Sequence, residues 1–196
     1  MLIVAGTYGI IGLGYIVQTI FMVSFMVESG HGEVVAGRLM AMSGLLSVAT
    51  GPVWGCLAAH WGRGNALAIS IALVVGAMAL PLFAQTLPVF FFHFLIMGLS
   101  INGLFAMIQT SATDQVAPRY IPIAFSFATL FFAIGQFFGP AIAGWLIGST
   151  GNFTSAFGFT VAVLSAGFGL TLLIRRFPRE LAVAEPQPAA DMGSAS

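Results

Sequence analysis

The chain has 196 residues, of which 59% are hydrophobic and 6% are charged, and its six basic and six acidic side chains cancel. An average soluble domain has about 25% charged residues, so these charges are too few to cover a surface in water. The composition excludes a soluble globular protein and predicts an integral membrane protein.

Six apolar runs fill the chain from residue 2 to residue 174. A helix needs about 20 apolar residues to cross the roughly 30 Å hydrocarbon core, and each run is close to that length or longer. A transmembrane barrel would instead show about ten residues of alternating polarity per strand. The sequence predicts an all-α membrane protein with one six-helix transmembrane domain over residues 1–176. Its spans are predicted at about 2–27, 38–59, 66–84, 89–112, 121–148 and 154–174.

The arginines predict the orientation of these spans, because basic residues near span ends are retained in the cytoplasm. Only Arg38 lies on the opposite side from the other five, which are Arg63, Arg119, Arg175, Arg176 and Arg179. Both termini are therefore predicted to be cytoplasmic in a multi-pass protein of the cell (inner or plasma) membrane. The outer loops are then about 28–37, 85–88 and 149–153.

The last stretch of the chain, residues 177–196, changes abruptly to Pro, Ala, Glu and Ser. This composition cannot bury enough apolar area to fold, so we predict a short disordered cytoplasmic tail. The single cysteine, Cys56, lies inside span two, and there is no ligand cluster, phosphate loop or basic patch. The sequence therefore predicts no cofactor, no metal and no nucleic acid partner.

Amide side chains distinguish spans one, four and five from the plainer spans three and six, which suit lipid contact. Burying an amide in hydrocarbon costs several kcal/mol unless it finds a partner or water. If neighbouring spans cross in opposite directions, Gln18, Asn102 and Gln136 all fall in the central part of the bilayer. We predict that they line one cavity, although each could instead hold two helices together. The candidate cavity contacts are Gln18, Asn102, Gln109 and Gln136, followed by Tyr15 and Thr19.

Other polar or small residues in the spans have a packing interpretation. The spacing GxxxG recurs, for example from Gly135 to Gly139, and allows close approach of helices in membranes. His93 is interpreted as a packing or interface histidine rather than a proton carrier. A membrane serine protease would pair His93 with Ser100, but seven residues separate them by about 10.5 Å along the helix. An ion channel has no support, because the chain has no filter-like motif or charged ring.

The segment from Gly51 to Arg63 resembles the signature loop G-x-L-A-D-R-x-G-R-R/K of major facilitator superfamily transporters. The matching residues are Gly55, Leu57, Ala58, Gly62 and Arg63. The chain departs from the signature at Ala59, where the family has Asp, at His60, where it has Arg, and at Gly64, where it has a second base. The loss of that Asp argues against a charge-relay gate in this part of the protein.

Residues 135–146, GQFFGPAIAGWL, look like the eleventh helix of the same superfamily. Together with the opening GTYGIIGLGYIVQTIF, they are similar to the C-terminal half of the YbfB/YjiJ-type bacterial subgroup. The resemblance implies two inverted three-helix repeats, with spans one, two, four and five lining the cavity and spans three and six facing lipid.

The function implied by this resemblance is half of a secondary transporter that moves a small solute by alternating access. An N-terminal six-helix half in the same or a separate chain, or a second copy, would complete it within the lipid bilayer. The alternative is an inactive truncated fragment that needs an N-terminal half. A channel or an intramembrane enzyme is less favoured, and the sequence predicts no enzymatic activity.

Overall fold

A computed structural model describes residues 2–113 and 116–174, and helices account for nearly all of them. All six long helices are long and apolar enough to cross a membrane, and the described residues contain no strand. This confirms the predicted all-α fold with six transmembrane helices. The predicted tail, and with it Arg175, Arg176 and Arg179, lies outside the described residues.

The helices are α1 Leu2–Glu28, α2 Glu33–Trp61, α3 Arg63–Phe83, α4 Leu87–Thr113, α5 Ile121–Thr150 and α6 Phe153–Ile174, and a short 3-10 helix, Pro118–Tyr120, precedes α5.

The packing of the helices repeats after three elements. Helix α1 packs mainly against α5 and α6, and α4 packs in the same way against α2 and α3. The register agrees as well, because Pro52 and Pro140 each lie 19 residues after the first residue of α2 (Glu33) and of α5 (Ile121). Each of these prolines also follows a glycine. Since α1 and α4 are three crossings apart, they run in opposite directions, as two inverted three-helix repeats require.

Glycines set the closest helix contacts, between α1 and α5. A Cβ added at Gly135 would collide with the carbonyl group of Gly9, and one at Gly139 would lie 2.9 Å from the carbonyl oxygen of Leu13. The GxxxG spacing of α5 therefore packs against α1, as small residues do in membrane helices. In α2, by contrast, the space beside Gly51 and Gly55 is open within the described part of the chain.

Trp54 makes the main contact between α2 and α4. Its indole nitrogen Nε1 donates a hydrogen bond to the carbonyl oxygen of Leu99 at 2.7 Å. The ring lies against Gly103, where a Cβ would overlap it, and a Cβ at Gly98 would lie 2.7 Å from the carbonyl oxygen of Ser43. Gly98 and Gly103 of α4 thus leave room for the backbone of α2 and for the Trp54 side chain.

The helices differ in how much of their surface is buried, and the helices with more polar residues are not consistently the more buried ones. Within an 18-residue apolar stretch of each helix, 11% of the residues are buried in α2 and 17% in α5, whereas 50% are buried in α3. Neighbouring helices therefore cover about half of this stretch of α3, and the lipid contact predicted for span three concerns its exposed face. Leu73 lies on an exposed face of α3, but Leu67 and Ile71 are buried where α3 packs between α4 and α6.

The loops at one end of the bundle meet at Gln85. Its carbonyl oxygen lies 3.1 Å from Nε2 of His31, and its side-chain oxygen accepts a hydrogen bond from Ser29 at 3.4 Å. Its side-chain nitrogen donates to Thr154 at the start of α6, also at 3.4 Å. The connections α1–α2, α3–α4 and α5–α6 therefore lie together at one end. The connections α2–α3, next to Arg63, and α4–α5, which contains Arg119, lie at the other end.

Candidate functional site

The six predicted cavity residues lie on α1, α4 and α5 and differ in burial. Gln18 is buried, with 7% of its surface exposed. The other five side chains are half-buried, and they are Tyr15, Thr19, Asn102, Gln109 and Gln136. Among the described residues, the charged side chains all lie within two turns of a helix end or in a connection, and they are Glu28, Glu33, Arg38, Arg63 and Arg119. The middle of the bundle is therefore polar only through uncharged groups.

Gln109 joins α4 to α1. Its side-chain nitrogen Nε2 donates a hydrogen bond to the hydroxyl oxygen of Tyr8 at 3.0 Å. The Tyr8 side chain is 3% exposed, and its ring stacks on Phe132 of α5 with the ring centroids 4.5 Å apart. Sequence reasoning placed Tyr8 on the polar stripe of span one but did not select it as a site residue.

An aromatic cluster of Tyr8, Tyr15, Phe105 and Phe132 joins the same three helices. Phe105 packs edge to face against Tyr15 at 5.0 Å between ring centroids, and against Phe132 at 5.4 Å. Sequence reasoning missed Phe105 and Phe132, because in a chain with 19 phenylalanines these two carry no distinguishing mark. The spacing of Phe105 from Asn102 and Gln109, three and four residues, was the signal that could have found it.

Asn102 joins α4 to α2. Its side-chain nitrogen Nδ2 donates to the carbonyl oxygen of Ser47 at 2.5 Å. The same carbonyl accepts a hydrogen bond from the Thr50 hydroxyl at 2.8 Å. At least one donor of Asn102 is thus used between helices, which matches the interpretation of this amide as a helix contact.

Thr19 is satisfied locally on α1, and Gln18 lies beside it. The Thr19 hydroxyl donates to the carbonyl oxygen of Tyr15 one turn earlier, at 2.8 Å, as hydroxyls inside helices commonly do. It also lies 3.5 Å from the side-chain oxygen of Gln18, at the long limit of a hydrogen bond. Tyr15, Gln18 and Thr19 therefore form one short group of neighbours on α1.

Gln136 differs from the other amides. Its side chain makes no hydrogen bond within residues 2–113 and 116–174, although the residue is half-buried. Pro140, four residues later inside α5, has no N–H to offer to the carbonyl oxygen of Gln136. Gln136 therefore has a side-chain amide without a partner in the described residues and a backbone carbonyl without its usual i+4 donor.

We call these six residues the polar wall, and they do not surround an enclosed cavity in the part of the chain described. No two of the six candidates on different helices share a hydrogen bond in the part of the chain described. A small apolar gap beside Tyr15 has no room for a water molecule. A groove of about 420 Å³ lies between α3 and α6, and none of the six residues lines it.

The predicted signature loop covers the end of α2 and the tight link to α3. Gly62 is the only residue of this link and has φ +82° and ψ 146°, a backbone conformation that is essentially restricted to glycine. Next to it, Asn65 donates through Nδ2 to the carbonyl oxygen of Trp61 at 2.7 Å and so caps the end of α2. Arg63 begins α3, and Gly55 has open space around it.

The pair proposed for a serine protease does not form. His93 uses its ring nitrogen Nδ1 to contact the carbonyl oxygen of Ala77 at 2.7 Å, and the buried Ser100 hydroxyl has no hydrogen-bond partner among the described residues. Within the residues described, no three His, Cys, Asp or Glu side chains come close enough to hold a metal ion.

Six apolar helices with an uncharged polar wall define a multi-pass helical membrane protein. No curated protein sequence matches the chain. Residues 4–194 match the family model of the Major Facilitator Superfamily, and the chain belongs to this superfamily of membrane transporters.

Proposed function

We propose that this chain is the C-terminal type of six-helix half of a secondary transporter, similar to the YbfB/YjiJ-type subgroup, and that it moves a small solute by alternating access. In this proposal both termini are cytoplasmic and the protein lies in the cell inner membrane. A second six-helix unit faces the polar wall, supplied by the same chain, by a separate chain or by a second copy.

The observation that carries this proposal is Gln136. It lies about 22 Å along α5 from Ile121, near the middle of a membrane; its side-chain amide has no hydrogen-bond partner among the described residues, and Pro140 removes the usual helical donor to its carbonyl. Such groups are costly in lipid and are tolerated where they face protein or a water-filled cavity. Solute sites of secondary transporters lie at this depth, often beside interrupted helices.

The exposure of α2 and α5 supports the need for a second unit. These are the two least buried helices of the described bundle, although α5 contains the unpartnered amide. A facing six-helix unit would bury both helices and turn the polar wall into one side of a cavity. The solute would then pass between the two units as they rock against each other.

The chemistry of the polar wall favours a neutral or amphipathic solute. Amides and hydroxyls supply hydrogen bonds, and the rings of Tyr15, Phe105 and Phe132, packed edge to face, supply an apolar surface beside them. No carboxylate lies in the middle of a described span. In this proposal any coupling to protons therefore depends on the second unit.

Thiol accessibility tests the cavity without knowledge of the solute. Cys56 is the only cysteine, so a Cys56→Ser background allows single cysteines to be placed at Gln136 and, as a control, at Leu73 on the exposed face of α3. Both positions lie near the middle of their helices. A membrane-impermeant thiol reagent reacts only where water reaches the thiol and lets it ionise.

In membranes of cells that express the protein, we expect Gln136→Cys to be labelled and Leu73→Cys to stay unlabelled. Equal and negligible labelling of both would refute the proposed cavity. The mass of the purified protein in detergent then identifies the second unit, because a second copy doubles the 20.5 kDa of the chain.

A further inference from the structure

Helix α3 contains a proline that changes the hydrogen bonding of its outer half. Pro81 lies inside α3, two residues before its end at Phe83. A proline has no N–H, so the carbonyl oxygen four residues earlier, that of Ala77, loses its normal partner in the helix. Ala77 is fully buried, so water cannot replace this partner.

A side chain of the next helix meets this carbonyl. Nδ1 of His93 lies 2.7 Å from the carbonyl oxygen of Ala77. A carbonyl oxygen can only accept, so Nδ1 carries the proton and donates it. Ala77 is six residues from the end of α3 and His93 is six residues from the start of α4, so the two face each other across the hairpin.

The contact from Nδ1 is the one hydrogen bond of the His93 side chain among the described residues. Nε2 is buried and has no hydrogen-bond partner in the described chain. The surroundings are apolar, and the ring of Phe94 packs edge to face at 5.1 Å between centroids. A proton relay would need a second partner at Nε2, and the described residues supply none.

We propose that His93 is a positioning residue that replaces the backbone donor removed from α3 by Pro81. The imidazole of α4 completes the hydrogen bonding of α3 and so fixes the two helices against each other in rotation and in register. The Pro81, Ala77 and His93 arrangement is called here the α3–α4 staple. It explains a buried histidine in a membrane helix without any role in catalysis or proton transfer.

A double-mutant cycle tests the staple in the full chain purified in detergent. His93→Phe removes the donor and keeps a ring of similar size, whereas Pro81→Ala returns an amide N–H to α3. We expect His93→Phe to lower the unfolding temperature clearly in the natural background and much less in the Pro81→Ala background, where the carbonyl of Ala77 has its own helical donor. An equal loss in both backgrounds would overturn the proposal.

Pro52→Ala is the matched control, because it restores an amide in α2, far from His93. The effect of His93→Phe should be the same with and without it, and a rescue by Pro52→Ala would also overturn the staple. If His93→Phe gives no folded protein, His93→Asn replaces it. An asparagine Nδ2–H can donate near the position of Nδ1, so stability should be largely retained, and full loss would contradict the proposal.

Nitrogen NMR of histidine-labelled protein supplies a readout that packing alone does not move. The chain has three histidines, and the signals lost in a His93 variant assign those of His93. We expect the tautomer protonated at Nδ1, with a preference that weakens in Pro81→Ala. A tautomer protonated at Nε2 would exclude the hydrogen bond to Ala77 and with it the staple.

Discussion

The hydroxyl of Tyr8 on α1 accepts a hydrogen bond from Nε2 of Gln109 on α4, across 3.0 Å. These two helices otherwise make few contacts, since each packs mainly on its own pair of neighbours. Tyr8 also stacks on Phe132, so one residue connects α1 with both α4 and α5. One residue of the aromatic cluster thus links the group α1, α5 and α6 to α4, which packs with α2 and α3.

Replacing Tyr8 with phenylalanine should therefore loosen this junction. Tyr8→Phe keeps the stacked ring but removes the acceptor of Gln109, and we expect a loss of about 0.5–1.5 kcal/mol in unfolding free energy. Unfolding of the purified protein in detergent measures it. Tyr15→Phe is the control, because the Tyr15 hydroxyl makes no hydrogen bond in the part of the chain described. An equal effect of both changes would show that the bond contributes nothing.

Asn102 and Gln136 should respond differently to an apolar substitution. Asn102→Leu loses the bond to the Ser47 carbonyl and should destabilise the fold by about 0.6–2 kcal/mol, the range for amide contacts in membranes. Gln136→Leu loses no internal partner and should leave stability unchanged. Comparison of unfolding midpoints in detergent tests this, and a marked loss with Gln136→Leu would assign that amide to helix packing.

A methyl group at Gly135 should separate α1 from α5. Gly135→Ala places a Cβ against the carbonyl group of Gly9, where only a shift of the backbone could relieve the overlap. We expect a loss of about 1–3 kcal/mol, the usual cost of overpacking. Gly148→Ala on the same helix meets open space and serves as the control. Thermal unfolding that does not distinguish the two variants would contradict this close approach.

The link between α2 and α3 should require a glycine. Gly62→Ala forces a side chain into a backbone conformation that L-residues rarely adopt, and should cost about 1–3 kcal/mol. Gly76→Ala lies inside α3 with open space around it, so it should be neutral or slightly stabilising. The yield of folded protein and its melting temperature report both variants, and a tolerated Gly62→Ala would show that the turn can rearrange.

The six helices could be predicted from the sequence because length and apolar composition alone decide whether a segment can cross a bilayer. Gly62 could also be anticipated, since a motif with a glycine between two spans indicates a tight turn. The amides of α1, α4 and α5 were visible as rare polar groups. Whether an amide is used in packing was not visible, because the partners of Asn102 and Gln109 are a carbonyl and a hydroxyl on distant helices.

Other features could not be read from the sequence because they depend on pairing across helices. The partner of His93 is a backbone carbonyl released by a proline 12 residues earlier, and neither residue predicts the other alone. The burial of α3 was also hidden, since an apolar helix looks the same whether lipid or protein surrounds it. Phe105 and Phe132 became site residues only when α4 and α5 were placed beside α1.

The hydrogen bonds of Gln85 connect the ends of several helices at one end of the molecule. The α3–α4 connection has only three residues, 84–86, so Gln85 cannot shift without carrying the ends of α3 and α4 with it. Through Ser29, His31 and Thr154 the ends of α1 and α6 are tied to the same residue. Probes attached at that end would keep fixed mutual distances and would serve as a reference frame against which displacements elsewhere in the protein are measured.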